Sequence, residues 1–296
     1  MRNCSWNTQL WVARLLVSLV IVSVVYQCRA VDELIANLWA QLRTSWLVRH
    51  DSFEPCLSTC CFYIYISFFA VLDHFVPSAW GYRLNPSKDM SSYRTGTRNR
   101  DQFFWYVLPF LVIDYVFPRR VLEKEPPTTL RLFLEVVGAI AVYDVAFFCW
   151  HTAVHSLPSL YLGVHAKHHR SAVQRAPEAV QHTFLDGTMD VMCSIFALNA
   201  LHCHSLSRAV YDLVIIFFIT ELHAGYDFPW QLHNVVPFGL LGGPVRHQQH
   251  HCDGRFYRQK FGTYLDYLFG SVPPATELAK EVPLVWRRQR LSKMVS

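Results

Sequence analysis

The stretch 57–76, LSTCCFYIYISFFAVLDHFV, runs for twenty residues with Asp73 and His74, both close to its end, as its ionisable groups. That length matches the hydrocarbon core of a bilayer. Lipid offers no partners to backbone N–H and C=O groups, so such a run has to be a helix. Residues 10–28, interrupted by Arg14, and 130–150 repeat the pattern, and 103–117 is a shorter version of it. Two more apolar runs, 189–201 and 206–222, are joined by His202-Cys203-His204. Each is short for a full crossing, which predicts a tight membrane hairpin or a re-entrant pair over about 189–222. A composition 52% hydrophobic and 17% charged over 296 residues fits this reading and not a soluble enzyme. The expected fold is an all-α integral membrane protein with about four to six membrane-embedded helices.

The order of the segments gives an organisation. Residues 1–30 form an apolar anchor; a basic start, the core LLVSLVIVSVVY and Cys28-Arg29-Ala30 before Val31 also fit a signal-like segment. Asn3-Cys4-Ser5 is a glycosylation sequon by pattern, and it lies close to the membrane if that run spans. Residues 31–150 hold an interfacial helix (31–56) followed by transmembrane helices. The loop 77–102 carries Arg83, Lys88, Arg94, Arg98 and Arg100 against Asp89 and Asp101, and is the expected cytosolic loop. The span 130–150 then delivers His151 to the same side. Residues 223–274 are broken by Pro229, Pro237, Gly239, Gly242, Gly243 and Pro244 and predict a compact cytosolic cap. This completes a catalytic region over 151–275, and 276–296 is a basic tail. The net charge of +5 flanks apolar runs, which favours a membrane surface over nucleic acid. Nine cysteines without a C-x-x-C pair argue against a disulfide framework and a zinc ribbon, and Cys149 and Cys193 are expected to pack as small apolar groups.

Eight of the fifteen histidines fall into three short runs, HTAVH (His151, His155), HAKHH (His165, His168, His169) and HQQHH (His247, His250, His251). On a helix, positions i and i+4 share a face, so His151 and His155 can close on one metal. In H-x2-H-H the adjacent pair diverges by about 100°, so one member can serve one ion and its neighbour a second. Eight imidazoles exceed one four-coordinate site and suit two metals. Imidazole ligation accommodates iron, copper, zinc or nickel. Asp144, two helical turns before His151 on the same face, can orient a ligating ring or face a neighbouring helix. His74, His202 and His204 stand apart from the runs and are read as structural.

The ordered set HTAVH, HAKHH and HQQHH on a multi-span chain resembles the fatty acid hydroxylase/sterol desaturase superfamily. HAGYDFPWQLHNVVPFGLLGGPVRHQQHH is similar to the sterol hydroxylases within it, and the resemblance covers residues of about 38–272. It implies a di-iron site in the endoplasmic reticulum membrane, histidine clusters on the cytosolic side, and O2 activation with NADPH-derived electrons. Those electrons pass through a reductase and, in many members, cytochrome b5. It implies the eight clustered histidines and His223 as metal ligands. It brings in Asp227, where some members carry a further histidine, and His182 and His233, as candidates for ligands or for groups that orient them. The implied reaction is hydroxylation of a sterol, with cholesterol at carbon 25 the leading substrate. Phe147, Phe148, Trp150, Tyr226, Phe228 and Trp230 flank the clusters and can line a substrate slot, or pack as ordinary aromatics.

Three other readings stand beside this one. A sister reaction (another lipid hydroxylation, methyl-sterol oxidation or desaturation) would use the same metal site. A zinc hydrolase would want the glutamate of H-E-x-x-H, which no run carries. A non-enzymatic lipid-binding protein would tolerate loss of the histidines.

Overall fold

A computed structural model describes residues 6–84, 111–112, 115–116, 121–170 and 174–274. Among them the chain is helical, with two isolated bridges (Arg83 with Tyr226, Leu241 with Gly262) in place of sheets. We number the principal helices α1 (Trp6–Tyr26), α2 (Cys28–Leu42), α3 (Phe53–Phe75), α4 (Thr129–Ser156), α5 (Phe184–Ala200), α6 (Ser205–His223) and α7 (Gly243–Cys252). Asn3, most of the predicted 103–117 span and the tail lie outside the described residues.

Three helices, α1, α3 and α4, are long and apolar enough to cross a membrane, in agreement with the runs read from sequence. Helix α1 carries a broad band of exposed apolar side chains, Leu15, Leu19 and Val22 among them, as a lipid-facing helix does. Its one mid-run charge is satisfied locally: Arg14 donates from Nε and Nη2 to the carbonyls of Val235 and Asn234, at 3.2 and 3.1 Å. Helix α2 packs along α4 and closes its start, because Asp32 Oδ1 accepts from the Thr129 N–H and Oγ1–H at 2.6 and 2.5 Å. At 28 residues α4 is about 42 Å long, well beyond the hydrocarbon core, and its last turns carry His151 and His155 past it.

The two short apolar runs lie on α5 and α6, of 17 and 19 residues, which are joined by a short turn and pack on α4, and α6 also on α3, rather than on each other. Helix α5 starts five residues before its apolar run, because Thr183 caps it by accepting from the Asp186 N–H at 3.3 Å. His202 (φ 48°) and His204 form the connecting turn. His204 is fully buried; its Nδ1 caps Leu206 N–H, and its ring packs edge-on against Trp39. Helices α3, α4, α5 and α6 pack into one core around Ala139, Tyr143, Ala197, Tyr211 and Ile215. Cys193 joins that core, whereas Cys149 is exposed rather than packed. After α6 the chain breaks into short turns, as the prolines and glycines predict, with α7 as its longest helical piece.

Candidate metal centre

The three histidine runs meet at the end of the four-helix core. HTAVH is the last turn of α4, and HQQHH lies on α7. HAKHH is not regular helix: His165 closes a wide π-type turn (Tyr161–His165), and His168 opens a 3-10 turn. The fold then sorts the rings into two adjacent groups. His151, His155, His165, His169 and His250 form one, and His168, His223, His247 and His251 the other. Each i,i+4 pair (151/155, 165/169, 247/251) stays together, and the i+3 histidine (168, 250) crosses to the other group. The divergence of adjacent histidines is therefore realised in both H-x2-H-H runs. The faces of His169 and His251 stack 4.5 Å apart where the two groups touch.

The ring nitrogens are arranged so that each group could hold a metal ion. His151, His250 and His223 each use Nδ1 to donate to a backbone carbonyl, of Arg258, Phe256 and Ile219, at 2.6, 2.7 and 2.7 Å. His165 Nδ1 donates to Asp186 Oδ2 at 2.7 Å. In each of these rings the neutral tautomer leaves a bare lone pair on Nε2. Those of His151, His165 and His250 face one another, His151 and His165 at 3.0 Å and His151 and His250 at 3.2 Å, and that of His223 lies 2.9 Å from His247 Nε2. Lone pairs repel at that distance. Nitrogens about 2.1 Å from a shared metal, set at right angles, lie about 3.0 Å apart, so the spacing is that of ligands round an ion. Burial, reinforced by neighbouring imidazoles, pushes His168, His247, His250 and His251 well below their usual range, and His169 to about 3. All five rings are neutral at physiological pH, the form that ligates a metal.

The four outlying candidates are placed differently. His182 is in neither group; it stacks face to face on His168 at 4.4 Å, and its Nδ1 donates to Asp186 Oδ2 at 3.0 Å. Asp144 touches no histidine. It accepts from Gln259 Nε2 and from the N–H groups of Phe261 and Gly262 at 2.7–2.9 Å. The shared face was read correctly, but seven residues are about 10 Å of rise, too far for contact. Asp144 instead anchors the strap whose Arg258 carbonyl orients His151. Asp227 also lies outside both groups, because α6 ends at His223 and Gly225 turns the chain with φ +74°. The i+4 register that would have placed Asp227 beside His223 is lost. Asp227 accepts from His233 Nε2 at 3.1 Å and Asn234 Nδ2 at 2.7 Å. His233 in turn packs flat against Gly243, where a Cβ would lie 2.2 Å from the ring.

The residue missed from sequence is Asp186. Its Oδ2 receives both His165 and His182, and its Oδ1 receives Trp150 Nε1 at 3.3 Å. The signal was present as Thr183-x-x-Asp186, a helix-capping pattern that brings an acidic residue to the start of α5. Asp186→Asn keeps the shape and removes the charge that fixes the His165 tautomer. We expect a 10–100-fold loss of metal affinity, measured as metal retained against a graded chelator. Retention equal to the parent would show that Asp186 does not support the centre.

A family model described as Fatty acid hydroxylase matches residues 136–271, the interval that contains both histidine groups. Cholesterol 25-hydroxylase-like protein 2 of Danio rerio is 31% identical over 216 residues, covering 69% of this chain and 76% of that protein. The chain belongs to the fatty acid hydroxylase family. Human cholesterol 25-hydroxylase is 27% identical over 264 residues, 86% of this chain and 96% of the relative. Cholesterol 25-hydroxylase-like protein of Caenorhabditis elegans is 27% identical over 176 residues, 57% of this chain and 56% of the relative. No solved structure matches the chain. Membership, the helical membrane architecture and the histidine groups together support a membrane-bound hydroxylating oxidoreductase of lipid metabolism.

Proposed function

We propose that this hydroxylase is a di-iron sterol monooxygenase of the endoplasmic reticulum membrane, with cholesterol at carbon 25 as its leading substrate and position. The observation that carries the reading is the pair of histidine groups, five and four rings, at the end of a membrane helix core. Similarity to cholesterol 25-hydroxylases over most of the chain supports the sterol class. Iron in both groups would supply the oxidant that side chains lack for breaking an unactivated C–H bond. The overall reaction balances as a lipid C–H, O2, two electrons and two protons giving C–OH and water. The electrons come from NADPH through a reductase, with cytochrome b5 as a second carrier, and the histidine groups face the cytosol to receive them.

The chain's own residues prepare this chemistry by position. Carbonyls of Arg258, Phe256 and Ile219 and the Asp186 carboxylate hold the rings with Nε2 inward. With no carboxylate in either group, the rings would leave bound ions more positive than an acid-rich site does. Phe147 packs against His151 and helps keep that end of the core dry. Of the flanking aromatics, Phe228 and Trp230 line a cavity between α1, α3 and α6.

The test is a sterol and fatty-acid profile by mass spectrometry in cells expressing the parent, His168→Ala, or an empty vector. A side-chain hydroxysterol present with the parent and absent with His168→Ala is expected. A hydroxylated fatty acid or an altered sterol ring would move the reaction to a sister branch and overturn the sterol side-chain reading.

A further inference from the structure

The cap segment 232–270 carries an exposed apolar face. Phe238 is 92% exposed, Leu268 73% and Phe269 68%, and Leu240 and Tyr267 beside them are more than half exposed. The two parts of this face are tied together, because Thr263 Oγ1 donates to the Gly239 carbonyl at 2.9 Å. Both parts are also docked on membrane-length helices. The Val235 and Asn234 carbonyls accept from Arg14 of α1, and the Phe269 ring lies 5.5 Å from that of Phe148, three residues before His151 on α4. The face therefore sits where these helices leave the hydrocarbon, on the side of the histidine groups. Exposed apolar side chains gathered in this way mark a contact surface rather than a wetted one.

A cation stands behind this face without a counter-charge. Arg246 belongs to the first turn of α7, where a helix favours an anion over a cation. Its Cζ lies over the Tyr257 and Tyr267 rings, 5.2 and 5.7 Å from their centres. Ring faces attract the charge but accept only weakly from its N–H groups. Nη1 is buried with no hydrogen-bond partner, which is costly and rare in a folded protein. Among the described residues no carboxylate forms an ion pair with this guanidinium. Asp266, whose carboxyl feels its charge, accepts instead from the N–H groups of Arg258 and Gln259 and from Ser271 Oγ, at 2.9, 3.2 and 2.7 Å. Nη2 lies toward Gly239, where a Cβ would meet it at 3.4 Å, so the glycine leaves the space beside it open. The planar fork of a guanidinium matches a phosphate, and at this depth the phosphate on hand is that of a lipid head group.

We propose that the cap rests on the bilayer through this face, with Phe238, Leu268 and Phe269 among the lipid chains and Arg246 holding a phospholipid phosphate between the Gly239 turn and Tyr267. The phospholipid is a structural ligand and not a substrate, and the assignment stands whatever the hydroxylase acts on. An acidic protein surface would match Arg246 but not the large apolar side chains around it.

The experiment has two arms, both on the full chain. In detergent, native mass spectrometry follows retention of dioleoyl phosphatidylglycerol. Arg246→Gln should lower it about fivefold, the worth of one basic residue at a membrane surface. Arg246→Lys should recover most of it, and Arg255→Gln, at an exposed arginine paired with Asp253, should bind like the parent. Dioleoylglycerol, the same chains without phosphate, should bind the parent and Arg246→Gln alike. In nanodiscs, a phospholipid with a diazirine at the top of its chains should label the segments 236–242 and 264–270. Phe238→Asn removes the ring at φ 64°, a conformation that asparagine adopts readily, and should lower label on the first segment at unchanged metal content. Phosphatidylglycerol retention equal in the parent and Arg246→Gln, or no lipid label on either segment, would overturn the proposal. Shielding of both segments from an aqueous label by added cytochrome b5, without label from lipid, would give the face to a protein partner and overturn it as well.

Discussion

His251→Ala is expected to reduce bound metal to about half and to lower product formation more than 100-fold, beyond the 10–100-fold typical of losing a group that merely orients a ligand. His251 Nε2 lies 3.1 Å from His247 Nε2, and it is one of four ring nitrogens in its group. Three imidazoles would remain there, whereas the five-histidine group would be untouched. Metal content by elemental analysis and product by mass spectrometry separate the two effects. His202→Asn is the matched control: His202 sits in the α5–α6 turn at φ 48°, a conformation that asparagine adopts readily. It should keep both metal and activity. A His251→Ala protein that held the parent's metal and turnover would remove His251 from the centre.

Much of this site was legible because local spacing carried it. HTAVH and HQQHH lie on helices, where H-x3-H and H-x2-H-H fix ring directions, and HAKHH reaches the same division through a π-type turn and a 3-10 turn. The membrane helices were legible for a similar reason, since apolar length is a local property. What escaped depends on where helices stop. Gly225 in HAGYD is the local signal that α6 stops at His223, and Asp227, brought in by the resemblance four residues on, is carried away from the histidine groups by that turn. Asp186 was missed, and Asp144 left between two roles, for a different reason. Their partners lie 21 and 115 residues away, and a single sequence carries no record of such pairings. The same limit hid Lys260, which follows Arg255 and Arg258 in sequence and is not marked by it as the buried cation of the three.

Lys260 is 5% exposed and Asp190 6%, and the pair lies inside the helix core next to the metal centre. Lys260 Nζ reaches Asp190 at 3.0 Å and donates to Tyr143 Oη at 2.6 Å, with the Phe147 ring 3.8 Å away. Tyr143 Oη donates in turn to Asp190. Replacing one partner leaves the other charged in a low-dielectric interior, at a cost of about 3–5 kcal/mol. Asp190→Leu should be the worse change, because Lys260 then keeps only a phenol oxygen and a ring face. On a chain of this size the loss corresponds to a fall of about 10 °C in melting temperature in detergent. Lys260→Met should cost less, since Asp190 retains the Tyr143 hydroxyl. The double change Asp190→Leu/Lys260→Met removes both charges and should recover much of the loss, a coupling that independent sites would not show. Metal retention should follow stability. Lys260 is two residues from Arg258, whose carbonyl holds His151, so a strap that swings out to hydrate a lone ammonium releases that ring. A double variant whose melting temperature equals the sum of the single losses would show that the two charges do not act as a pair.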